Sequence, residues 1–270
     1  MSDAPVLLGP GEGEDIRGRV RIKCAREGLV LTETPGPGET DPHVHHHHAD
    51  AFYVLEGDFA VRLGDEEERL LEPGSFVLIP PDVAHGYRSE SGRWLNVHAP
   101  GCGFEEWLRS GLTSDFDQHE PPADGGRPAA DALVFAAGGG DELELGPGSR
   151  GWFKAGAGEA LGSVAVVEIE LAAGATGPPP HHHERLTDSF YVLDGTLTVL
   201  LGDERHEAPA GSYALVPPGN VHTVSNPGDV PARFLNVSVP SGLDTYLREL
   251  AAADPSQYAS IAARNDVIVA

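Results

Sequence analysis

Two halves of this sequence match one another over about 60 positions, and any fold proposed for the chain must be built twice. His43, His45, Asp50, Phe52, Tyr53, Val54, Leu55 and Gly57 recur 138 residues later as His181, His183, Asp188, Phe190, Tyr191, Val192, Leu193 and Gly195. Gly74, Pro80, Pro81 and His85 recur 137 residues later as Gly211, Pro217, Pro218 and His222. Leu95, Asn96, Val97 and Pro100 return 140 residues later as Leu235, Asn236, Val237 and Pro240. So steady a shift means tandem duplication, with the small length differences confined to loops.

Each copy reads as β. Segments such as AFYVLEGDFAVRL, GSFVLIP, SFYVLDGTLTVLL and GSYALVP are short, rich in β-branched and aromatic residues, and bounded by Gly, Pro or Asp. With 34 Gly and 23 Pro the chain is suited to many tight turns, and two-sheet sandwiches or barrels follow. Helical periodicity is confined to the end of each copy, at Phe104 to Ser110 and Leu243 to Ala253. The polar, Pro- and Gly-rich stretch 113–130 reads as a linker, which divides the chain into an N-terminal domain 1–112 and a C-terminal domain 131–270. The two domains are expected to pack together, in a monomer with an internal pseudo-dimer or in a homodimer.

A formal charge of −24 repels phosphate backbones and anionic lipid, so neither nucleic acid nor membrane is an expected partner. Arg17, Arg19, Arg21 and Lys23 alternate on a strand near acidic residues and read as a solvated face. The two cysteines, Cys24 and Cys102, build no disulfide framework, and no signal-peptide pattern or apolar run of membrane length occurs. A cytoplasmic location is the expectation. No GxSxG nucleophile and no Gly-rich phosphate loop opening a helix is found, and no residue is assigned to an organic cofactor.

The histidines carry the chemistry. His43 and His45 lie one residue apart, so on a strand both imidazoles point to one face, and His181 and His183 repeat this. A hairpin brings Asp50 or Asp188 alongside, and His85 or His222 arrives from a distant strand. Such donors suit one divalent transition metal, Fe, Ni, Mn, Cu or Zn, in each half, up to two per chain.

In these residues the chain resembles a bicupin. HVHHHHADAFYVLEG and HHHERLTDSFYVLDG fit the first cupin motif from the second histidine to the acid to the glycine; GSYALVPPGNVHTVSN fits the second. GSFVLIPPDVAHGYRS keeps Gly74, Pro80 and His85 but has Asp82 and Ser89 where that motif has Gly and Asn. Asp also stands at 50 and 188 where the family usually carries Glu; it binds the ion directly, binds through water, or leaves a site of three histidines. The resemblance implies an all-β fold of two tandem jelly-roll (double-stranded β-helix) barrels with short terminal helices. It implies metal sites His43/His45/Asp50/His85 and His181/His183/Asp188/His222. By analogy with quercetinase-like cupins, it implies a metal-dependent dioxygenase acting on a small aromatic or enolisable substrate, with Asp50 or Asp188 as base. Two alternatives stand beside it: an isomerase, cyclase or decarboxylase using the ion as Lewis acid, and a small-molecule-binding bicupin without turnover.

Other residues are read as structure. By strand parity His46 and His48 face solvent, with His47 the one of the run that can turn inward; His182 points away from its neighbours. His98 is expected to be an ordinary strand residue, and His119 and His206 receive no role. Phe52, Val54, Phe190 and Val192 share the ligand parity and are expected to wall the pockets, while Tyr87, Trp94 and Trp107 are expected in the core or an interface.

Overall fold

The computed structural model describes residues 4–26, 28–111 and 116–270. They form two compact units, one made of Gly13–Gly139 with Glu159–Ser163, the other of residues 4–12, Gly140–Gly158 and Val164–Ala270. Each unit is a pair of antiparallel sheets around its own apolar core, the jelly-roll arrangement expected of the repeat.

In the first unit a seven-stranded sheet runs Leu133–Phe135, Phe76–Ile79, Ala49–Glu56, Arg93–Ala99, Leu29–Pro35, Val20–Arg26, Glu14–Ile16. It faces a four-stranded sheet of Gly38–His43, His85–Ser89, Phe59–Leu63 and Arg69–Leu71. The second unit repeats the order with Val6–Leu8, Tyr213–Val216, Thr187–Asp194, Ala232–Val239, Ala165–Leu171, Ser149–Ala155 and Asp141–Gly146. Its smaller sheet has a fifth strand, Ile268–Val269, beside His181–His182. Helix α1 (Phe104–Ser110) ends the first copy and α2 (Leu243–Ala252) with α3 (Tyr258–Arg264) the second, where the apolar spacing placed the first two.

The unit boundaries differ from those read in the sequence. Val6–Leu8 pairs with Tyr213–Val216 and Leu133–Phe135 pairs with Phe76–Ile79, so the strand preceding each copy completes the sheet of the other. An edge strand leaves a row of N–H and C=O groups open, and in both sheets that edge is satisfied this way. Of the expected 113–130 linker, 113–115 lie outside the described residues. Its remainder belongs to the first unit, with Phe116 and Asp117 buried and Val44 bridged to His119.

Local chemistry explains why these residues repeat. Gly57 and Gly195 turn their hairpins with φ of 74° and 71°, a left-handed backbone that glycine adopts without strain. A Cβ on Gly57 would also lie 2.7 Å from the Gly92 Cα. Phe52, Val54, Phe190 and Val192 fall in the cores, as their parity requires. Trp94 and Tyr87 join the first core, packed among Phe52 and Phe59, with Tyr87 stacked on Phe59. Trp107 packs on Phe104 and Phe116. One charge on the alternating basic strand is not solvated: Lys23 is buried 3.0 Å from Glu33, and Lys154 repeats this with Glu168 at 3.3 Å. Period-2 alternation assigns side chains to faces but does not tell which of them are buried.

Candidate metal centres

In the first unit His43 ends its strand directly opposite His85, which opens another. His45 follows in the turn and Asp50 lies on Ala49–Glu56; all four residues are buried, with donor atoms within 4.8 Å of one another. Each imidazole gives its Nδ1–H to a main-chain carbonyl: His43 to Asp41 at 2.8 Å, His45 to Asp117 at 2.5 Å, His85 to Val83 at 2.9 Å. A carbonyl only accepts, so the proton sits on Nδ1 and the Nε2 lone pair is left to the centre. The Nε2 atoms of His45 and His85 are buried without a hydrogen-bond partner. Asp50 Oδ2 lies 3.7 Å from the first and 3.3 Å from the second. Its Oδ1 accepts from Asn96 Nδ2 at 2.5 Å. Burial opposes the Asp50 anion most strongly, but His98, His45 and His85 together outweigh it and hold the carboxyl well below the usual range. Burial, then His85, pushes His43 down to about 3, keeping it in the neutral form that binds metal.

The second unit rebuilds this geometry. His181, His183 and His222 form a buried cluster, with His181 opposite His222. Their Nδ1–H groups reach the carbonyls of Pro179 at 2.9 Å, Asp266 at 2.7 Å and Asn220 at 3.0 Å. The Nε2 atoms of His183 and His222 are again buried and unpartnered. Asp188 Oδ2 stands 3.4 Å from His222 Nε2 and 3.9 Å from His183 Nε2, while Asn236 Nδ2 donates to its Oδ1. Burial, followed by His222, pushes His181 down to about 4. Six imidazoles with fixed tautomers and inward Nε2 atoms, each trio beside a carboxylate, fit one divalent transition-metal ion per unit, with bonds of about 2.0–2.2 Å.

The departures of the first copy from the second motif are absorbed locally. Asp82, which replaces the motif's glycine, takes φ 68° against 80° for Gly219, and Asp is among the few side chains that tolerate this region. Ser89 donates to Asp58 O at 2.7 Å and accepts from Gly92 N at 2.9 Å, bracing the turn where Asn226 donates to Leu171, Ala172 and Val230 carbonyls.

Two expectations for the histidines need correction. His48 does not face solvent: it is buried, donating Nδ1–H to Asp117 at 3.0 Å, with its Nε2 2.8 Å from His98 Nδ1. His98 is not an ordinary strand residue, since it lies cross-strand from Asp50 with Nε2 3.6 Å from its Oδ1. A tight turn after His45 breaks the strand alternation on which the parity argument rested. His46 and His47 are exposed, and His46 meets Asp82 at 2.6 Å. His182 pairs away from the centre opposite Ile268. His119 bonds Asp117 at 3.0 Å, and His206 lies 3.7 Å from Glu204. Asn96, Asn236, Asp117 and Asp266 were not read as site residues. The repeated Leu-Asn-Val was the available signal for the asparagines; the two aspartates lie outside the matched block and offered none.

In the second unit a cavity reaches the histidine cluster. A cavity of about 320 Å³ has His181, His222, Asp188 and Asn236 at its polar end and walls that include Phe190, Phe234, Tyr246, Leu247 and Tyr258. Among the described residues no lysine or arginine lines it. At two of these wall positions the first unit carries larger side chains: Trp94 for Phe234 and Tyr87 for Val224.

Across 91% of its length this chain is 26% identical to the quercetin 2,3-dioxygenase of Bacillus subtilis (strain 168), covering 86% of that protein. Among solved structures, a putative glyoxylate-induced protein from Pseudomonas aeruginosa superposes with a TM-score of 0.63 at 16% identity, covering 88% of each chain. The Lactobacillus farciminis oxalate decarboxylase does so at 0.57 and 16%, covering 89% of this chain and 87% of its own. At these identities the structural matches speak for the fold. The cupin domain family matches residues 30–98 and 167–238, more than half of the chain and the segments that carry all six inward-facing imidazoles. The chain therefore belongs to the cupin family, with two cupin domains in tandem.

Proposed function

We propose that this bicupin is a metal-dependent dioxygenase for a small aromatic or enolisable molecule, and that turnover takes place in the C-terminal barrel. The observation that carries this reading is the cavity: its polar end includes His181 and His222 of the second histidine cluster with Asp188, and its walls are mainly apolar, with no lysine or arginine among the described residues. A ring or compact hydrocarbon body is held by the walls while one hydroxyl or enol oxygen points to the cluster. A small dicarboxylate would find the ion for one carboxylate but no lysine or arginine among the described lining residues for the other, an expensive burial of charge.

His181, His183 and His222 would hold the ion, with Asp188 either as fourth ligand or beside it. When bound, the ion lowers the pKa of an enol or phenol oxygen and supports reaction with dioxygen. Asp188 Oδ2 accepts the substrate proton, since Asn236 and the Ser189 main-chain N–H already occupy Oδ1. The apolar walls limit water at the reacting carbon. The relationship to quercetin 2,3-dioxygenase supports the oxidative chemistry. The Mn(II) centres described for Bacillus subtilis oxalate decarboxylase, another fold relative, make Mn(II) the first ion to load.

Non-oxidative decarboxylation or isomerisation is the second reading, favoured by the oxalate decarboxylase fold relatives. A screen of phenols and enolisable ketones on Mn(II)-loaded protein, with an oxygen electrode and CO₂ detection in parallel, separates the two. Dioxygen uptake stoichiometric with product is the expected result. Equal turnover under strict anaerobiosis would overturn the dioxygenase assignment.

A further inference from the structure

We infer that the segment Asp266–Val269 is a working wall of the C-terminal site, positioning His183 for the ion and setting the size of molecule the cavity admits. This rests on the reading of that barrel as the metal- and ligand-binding one.

Asp266 acts through both its main chain and its side chain. Its carbonyl accepts the His183 Nδ1–H at 2.7 Å. Its carboxylate accepts the main-chain N–H groups of Glu184 at 3.0 Å, Arg185 at 3.0 Å and Leu186 at 3.1 Å, pinning the turn that follows His183. To do both, Asp266 takes φ 63°, a conformation that most side chains avoid. The next residues then pair with the strand carrying the other ligand: His181 lies opposite Val269 and His182 opposite Ile268. Val267, buried, and Val269, more exposed, line the cavity. One short segment thus touches His183, borders His181 and shapes the ligand space.

The first unit reaches the same solution with different sequence. Asp117 accepts from His45 Nδ1 through its carbonyl and from the His46 and His47 N–H groups through its carboxylate, and His119 bridges to Val44. Asp117 and Asp266 are 149 residues apart, off the 137–140 shift of the duplicated block, and their flanks, FDQH and NDVI, share only the aspartate. Duplication alone does not account for this recurrence; the demand of a ligand histidine for a fixed acceptor does. The flanking residue then differs. Phe116 lays its ring 5.7 Å from His45 and 5.9 Å from His98, whereas Val267 and Val269 border open space.

The test uses the full chain, stripped with chelator and titrated with Co(II) against a chromophoric competitor. Asp266→Ala should weaken one of two ions about tenfold or more and leave the other at its wild-type affinity. Asp266→Asn, which keeps an oxygen acceptor and tolerates the left-handed backbone, should restore most of it. In a parallel fluorescence titration with 2-naphthol, Val267→Trp should abolish binding while both ions remain. Val269→Phe, at the rim, should weaken it in the same direction and is the variant to read if Val267→Trp does not fold. Unchanged affinity for both ions in Asp266→Ala would overturn the positioning role, as would equal weakening of both ions that Asp266→Asn does not relieve. Unchanged 2-naphthol binding in both valine variants would overturn the role in sizing. A wild-type chain that takes up no Co(II) would sink the underlying metal reading itself, an outcome distinct from any of these.

Discussion

The two barrels carry matching donor sets but differ in what surrounds them. Around Asp50 the space is taken by His98, His48, Phe104 and Phe116, with Phe104 stacked 3.8 Å from His98. Around Asp188 the equivalent residues are Ser238, Leu186 and Leu243, and the core beyond carries Phe234 and Val224 where the first barrel has Trp94 and Tyr87. The buried Ser238 hydroxyl is left without a partner beside Asp188. Matching ligand sets thus sit beside a buried polar network in one barrel and at the end of a mainly apolar cavity in the other. After duplication, ligands constrained by coordination chemistry stay, while wall residues are free to diverge towards packing or binding.

The sharpest way to break this comparison is to remove one centre at a time. His222→Ala and His85→Ala should each lower the ion content of a reloaded chain from two to one, by elemental analysis. Only His222→Ala should abolish turnover. Loss of activity in His85→Ala alone would reverse the assignment of roles. Asp188→Asn should retain most of the C-terminal ion and lower turnover about 10²–10⁴-fold, the usual contribution of a positioned base. Asp50→Asn should leave the rate near wild type in the same assay. Wild-type turnover in Asp188→Asn would place the chemistry on the histidines and ion alone.

Making one barrel resemble the other should give smaller effects. Val224→Tyr introduces the first barrel's residue into the C-terminal cavity and should weaken 2-naphthol binding roughly tenfold, about 1.4 kcal/mol, measured by titration calorimetry. Unchanged affinity would mean that the cavity is not where the ring sits. His98→Ser, the reverse exchange, strips the His48 Nε2 of its partner. A buried group left unsatisfied costs about 1–3 kcal/mol, which should appear as a lower Tm with turnover unchanged. A Tm within error of wild type would show that the His48–His98 contact contributes little.

Much of this was legible in the residues themselves. A repeated, punctuated β pattern specifies two copies of one barrel, because strand length, turn glycines and alternation are local properties. The spacing of His43 to Asp50 and of His181 to Asp188, with His85 and His222 after their prolines, also marked the groups that meet in space. The chain could not reveal which residues would come from outside the repeat. Asp117 and Asp266 reach their histidines from segments 72 and 83 residues away, and Val6–Leu8 and Leu133–Phe135 complete the sheets of the other copies. Those pairings depend on edges and carbonyls that exist only after the barrels form. His48 faces inward because a turn resets strand parity, and Lys23 is buried in an ion pair with Glu33. Periodicity records which face of a strand a side chain occupies; whether that face meets water, a carbonyl or open cavity is decided by tertiary packing.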